Sequence, residues 1–124
     1  MDIREWVDEL NKECQQGREF RELGSDVWTR ELSPEEEEIL VAAANVGELS
    51  ISLDEDCGLP VVRIESQLIF PQPDPYVVSR QWYALKSFAM RGVMRHVTGA
   101  TFALDAAALL KGARLRALRL VVED

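Results

Sequence analysis

The chain has 124 residues, a size that fits one domain, and 47% of them are apolar, enough for a single two-layer core. Its net charge of −8 at pH 7 argues against indiscriminate binding to nucleic acid or anionic membrane, both of which are polyanions. No run approaches the roughly 18 to 20 apolar residues of a membrane span, and two cysteines without a Cys-x-x-Cys spacing give no zinc site and no disulfide framework, so a cytoplasmic protein with reduced thiols is expected.

Asp2-Ile3-Arg4-Glu5 is a capping-box arrangement, with Asp2 as cap and Glu5 reaching back to the cap's own N–H. Ile3, Trp6, Val7, Leu10 and Cys14 then recur at helical spacing, which predicts an amphipathic helix to about Gln16. Gly17 is expected to weaken it, although Phe20 and Leu23 could continue the stripe before Gly24-Ser25-Asp26 ends it. The stripe reads as core, or as an arm that pairs with a second protomer.

Ser33-Pro34-Glu35-Glu36 announces the next helix: Ser33 caps, Pro34 is first in the helix and Glu36 completes a second capping box. Ile39, Leu40 and Ala43 form its buried side and Gly47 marks its end. The acidic run Glu35 to Glu38 sits in a first turn, where free N–H groups and the helix dipole stabilise carboxylates. From Glu48 the period drops to two. Leu49, Ile51 and Leu53 make a strand, Asp54 to Gly58 a turn, Val61 to Ile64 a second strand and Leu68 to Phe70 a third short one. Asp54, Asp56 and Glu65 fall at the first, third and twelfth places of a calcium loop, but Leu59 stands where that loop requires Gly, so no metal is expected.

Pro71, Pro73 and Pro75 impose an extended connection into the best-specified helix of the chain. Asp74 caps it, Pro75 occupies its first position, and Gly92 stops it. Val78, Trp82, Leu85 and Ala89, flanked by Val77, Ala84 and Phe88, predict a buried side; Ser79, Arg80, Tyr83, Lys86, Ser87, Met90 and Arg91 fall on the other. Val93 to Val97 and Thr101 to Leu104 then form a hairpin about Thr98-Gly99-Ala100, with His96 pointing outward. Asp105 caps a last helix from Ala106 to about Leu118, whose expected buried side is Ala106, Leu109, Leu110, Ala113 and Ala117, followed by a frayed or strand-like end.

The run Ala84-Leu85-Lys86-Ser87-Phe88-Ala89-Met90-Arg91-Gly92-Val93-Met94-Arg95-His96, followed by Gly99, Phe102-Ala103-Leu104 and a new helix, resembles the second half of a bacterial winged-helix domain. The resemblance covers about a third of the chain. It implies an α+β fold of three to four helices with short antiparallel β-hairpins, arranged as one domain over residues 1–124, with a helical segment at 1–32 and a winged-helix-like core at 33–118. In that family a short helix and tight turn precede the groove-reading helix, whereas Gln67 to Pro73 is poorly suited to helix.

The expected binding face is Arg80, Tyr83, Lys86, Ser87, Met90 and Arg91 on the helix, extended by Arg95 and His96 on the hairpin. No nucleophile elbow, phosphate loop or dinucleotide turn occurs, so a non-catalytic role without a cofactor is expected. Residues 1–70 carry −12, which weighs against nucleic acid, and residues 71–124 carry +4, which favours it; Tyr83 and Met90 on the outer side of the helix tip the reading towards a protein partner or a homodimer. A DNA-binding regulator is the alternative.

Overall fold

The computed structural model describes residues 2–21, 27–28, 30–71 and 74–122. The expected helix end at Gly24 to Asp26 lies outside them. Among the described residues the chain is α+β: α1 (Ile3–Phe20), α2 (Pro34–Ala43), β1 (Glu48–Leu53), β2 (Pro60–Ile64), β3 (Gln67–Leu68), α3 (Pro75–Met90), β4 (Met94–Thr98), β5 (Thr101–Leu104) and α4 (Ala106–Val122). No helix of these is long and apolar enough to cross a membrane.

The strands form one antiparallel sheet in the order β3-β2-β1-β5-β4, so β1 lies at its centre between two hairpins. Each hairpin is fixed by local chemistry. Asp54 closes the first turn by accepting, through one carboxylate oxygen, from the backbone N–H of Asp56 at 3.1 Å and of Cys57 at 2.8 Å. Glu65 and Ser66 link β2 to β3 with both residues at positive φ, 52° and 68°, the geometry of a two-residue hairpin turn. Gly99, at φ 52°, turns β4 into β5. The third strand is Gln67–Leu68 rather than Leu68 to Phe70, and Ile69 and Phe70 instead pack against the core. Where β3 stops, Gln81 of α3 takes over: its amide oxygen accepts from Val62 N–H at 2.9 Å, so the sheet edge is satisfied by a buried side chain.

Strand alternation sorts the sheet's faces. Leu49, Ile51, Val62 and Phe102 enter the core, whereas on the other face Glu48 stands opposite Ala103, Ser50 opposite Arg63 and Ser52 opposite Val61. Against the apolar face lie α1 and α3, which run in the same direction, as the successive contacts Trp6 with Trp82, Glu13 with Lys86 and Gly17 with Ala89 require. Gly17 does not weaken α1; it lets α1 touch α3. A Cβ there would lie 1.9 Å from the Ala89 carbonyl oxygen, and one on Gly92 would lie 2.7 Å from the Gly17 oxygen. Helix α1 therefore contributes Val7, Leu10 and Cys14 to the same core as Leu85 and Phe88, which settles its stripe as core.

Helix α2 carries the expected capping box, with Ser33 Oγ accepting from Glu36 N–H and Glu36 accepting from Ser33 N–H, each at 3.2 Å. It packs antiparallel against α4, since Leu40 meets Gly112 while Glu38 meets Arg119. Two expectations for α4 are corrected. It continues as helix to Val122, with no strand at its end. Its inward side holds Ala108 and Gly112, with Leu109 and Leu115 half-buried, whereas Ala106, Leu110, Ala113 and Ala117 face outward. The reason is proximity: a Cβ at position 112 would lie 2.2 Å from the Leu40 carbonyl oxygen, so only the smallest residues fit against α2.

Candidate interaction site

Helix α3 begins as its sequence predicts, with Asp74 Oδ1 accepting from Val77 N–H at 2.8 Å. Val78, Trp82, Leu85, Phe88 and Ala89 are buried. Because α3 lies between α1 and α2, its flanks are covered as well, and most of the polar residues expected outside point sideways into carboxylates of those helices.

On one flank, Lys86 Nζ lies 3.5 Å from Glu13 of α1. On the other, Arg80 Nε lies 3.0 Å from Glu35 of α2, with its guanidinium 5.4 Å from the centre of the Tyr76 ring. Ser87 Oγ donates to Glu36 Oε2 at 3.1 Å. Arg91 is the most enclosed of them, its side chain 6% exposed. It donates to Ser87 Oγ at 3.1 Å, to the Val27 carbonyl, and to Glu36 Oε2 at 3.5 Å, and its guanidinium lies 5.2 Å from the centre of the Trp28 ring. Burial lowers the pKa of Arg91 from its ordinary value, and the Glu36 carboxylate works in the opposite direction. Arg91 and Ser87 are thus internal ties that hold α3 to α2, which corrects their placement on an outer binding face. Glu36 serves both as capping residue and as their acceptor, through different oxygens.

His96 is corrected too. Opposite Phe102 in the β4–β5 register, it shares the helix-facing side of the hairpin, its ring centre 5.2 Å from that of Phe102, and Nε2 is 2.8 Å from the Gly99 carbonyl. It borders a cavity of about 360 Å³ lined by Ile3, Arg4, Val7, Asp8, His96, Gly99 and Ala100, beneath the first turns of α1. Alternation places Arg95 on the outer, exposed side.

Of the eight expected site residues, Tyr83, Met90 and Arg95 are exposed. Sequence reasoning missed Tyr76, which stands seven residues before Tyr83 and fourteen before Met90, a spacing that keeps all three on one side of α3. Their exposures are 68%, 66% and 64%, so the outermost line of the helix is aromatic and apolar, not charged. Among the described residues no group of three or more His, Cys, Asp or Glu side chains is gathered to hold a metal ion. No family model, curated protein or solved structure matches the chain.

Proposed function

We propose that the chain is a non-catalytic interaction module, acting in the bacterial cytoplasm, that binds a protein partner or a second copy of itself through the outward line of α3. The observation that carries this reading is the division of α3 into paired cations on its flanks and outward-facing Tyr76, Tyr83 and Met90 at its crest. Exposed aromatic and Met side chains on a rigid helix are the usual anchors of protein interfaces, while phosphate binding needs free cations. The order helix, hairpin, helix from α3 to α4 supports the likeness to a winged-helix scaffold. A DNA-binding use of that scaffold gains no support from Arg80, Lys86 and Arg91, whose charges are matched by Glu35, Glu13 and Glu36.

A photo-crosslinking residue placed at Tyr83 or Met90 in cells tests the reading. Adducts to one protein, or to the chain itself, from both positions and not from the exposed Glu55 are expected. Nanomolar, sequence-selective DNA binding lost on neutralising Arg80 or Lys86 would overturn it.

A further inference from the structure

Of the ten large hydrophobic side chains that stand exposed among the described residues, four belong to α4: Leu110, Leu118, Leu120 and Val121. They do not lie at random. Ala106, Leu110, Ala113, Ala117 and Leu120 follow the 4-3-4-3 spacing of a coiled-coil seam, and all five are exposed. Leu110 is 53% and Leu120 64% exposed, and Val121 beside them is 73% exposed. The seam runs along the side of α4 opposite Ala108 and Gly112, which hold the helix to α2. An apolar line about 20 Å long, at 1.5 Å per residue, is thus left uncovered.

What should cover it is set by charge. Between Ala106 and Val122 the helix has Lys111, Arg114, Arg116 and Arg119 and no acidic residue. Arg119 is engaged by Glu38 at 2.7 Å, whereas Arg114 and Arg116 are exposed and have no ion pair among the described residues. In the heptad set by the seam these two arginines take the flanking positions, one on each side, where a partner helix presents its own charges. A second copy of α4 laid on the seam would bring only further cations. The three Ala and two Leu of the seam suit a closely approaching helix, since Ala leaves room for a partner's larger side chain.

We propose that the outer face of α4 is a docking surface for an amphipathic helix with an apolar seam flanked by acidic residues. This surface is separate from the α3 line and does not depend on it.

The test uses fluorescence anisotropy of two labelled three-heptad peptides with the folded full chain. Both carry Leu at the seam positions; one has Glu and the other Lys at the flanking positions. The Glu peptide is expected to bind saturably, more weakly as salt is raised, and at least about tenfold tighter than the Lys peptide. Arg114→Glu with Arg116→Glu should reverse that order. Leu110→Gln with Leu120→Gln should abolish binding while circular dichroism and the unfolding transition stay unchanged, because both side chains are already exposed. Tyr83→Ser with Met90→Ser should leave peptide binding intact, so failure of the α3 reading would show separately. Equal affinity for the two peptides, or no binding of the Glu peptide, would overturn the proposal. So would a homodimer broken by Leu110→Gln with Leu120→Gln, or binding to phosphatidylserine vesicles in place of the Glu peptide.

Discussion

On α3 the stripe Val78, Trp82, Leu85 and Ala89 is buried and the cations beside it are paired inward; on α4 the stripe Ala106, Leu110, Ala113 and Ala117 faces out and Arg114 and Arg116 have no ion pair among the described residues. Both helices show an apolar period next to basic residues. The difference lies in what else competes for each face. Helix α3 is gripped on three sides, by the sheet through Val62 and Gln81, by α1 through Trp6 and Gly17, and by α2 through Glu35 and Glu36. Helix α4 is held to α2 by small residues at backbone contact, which carry little apolar area but allow the closest approach. Hydrophobic periodicity thus marks a surface that is covered by something, and steric fit decides whether the cover belongs to the same chain.

The comparison breaks most sharply on leucine. Leu85→Ala on α3 should cost about 2–5 kcal/mol in urea unfolding, since Leu85 is fully buried and its removal leaves a cavity. Leu120→Ala on α4 should change stability by no more than about 0.5 kcal/mol. Similar losses at the two positions would mean that α4 is turned the other way.

Proton linkage sharpens the contrast from beneath the α3 layer. Burial pushes the Cys14 thiol from 9.0 up to about 12. The folded protein therefore keeps this proton where the unfolded chain releases it. The stability that the neutral thiol contributes is complete below pH 9 and is lost progressively as pH rises towards 12, with a slope of at most about 1.4 kcal/mol per pH unit. Urea unfolding above pH 9 should show that slope in the wild type and lack it in Cys14→Ala. Equal slopes in the two proteins would place Cys14 in contact with solvent.

Much of the fold was legible because its signals are local. Asp2, Ser33 and Asp74 announce helix starts through side chains that meet backbone N–H groups three residues on, and Leu49 and Ile51 reveal a strand by alternation. The site was legible only in part, because its decisive contacts are remote in sequence. Arg91 meets Glu36 across 55 residues and Lys86 meets Glu13 across 73, so nothing near them marks these cations as paired. The β2–β3 turn hid for another reason: Glu65 and Ser66 occupy positive-φ positions that Asn-Gly usually fills. Gly17 reads as a helix weakness when taken singly. In the fold Gly17 and Gly112 are points of closest helix contact.

Whether the cations of α3 are engaged within the molecule is decided by one pair, Arg91 with Glu36. A double-mutant cycle with Arg91→Ala, Glu36→Ala and the combined variant, followed by urea unfolding, measures their coupling directly. Each single substitution should be strongly destabilising, about 3–5 kcal/mol for Arg91→Ala, because it leaves a buried charge without its partner. The pair should couple by about 1–3 kcal/mol. Single losses within about 0.5 kcal/mol of zero that simply add would contradict the account, for they would put the Arg91 guanidinium in solvent and return it to an outward, phosphate-binding face.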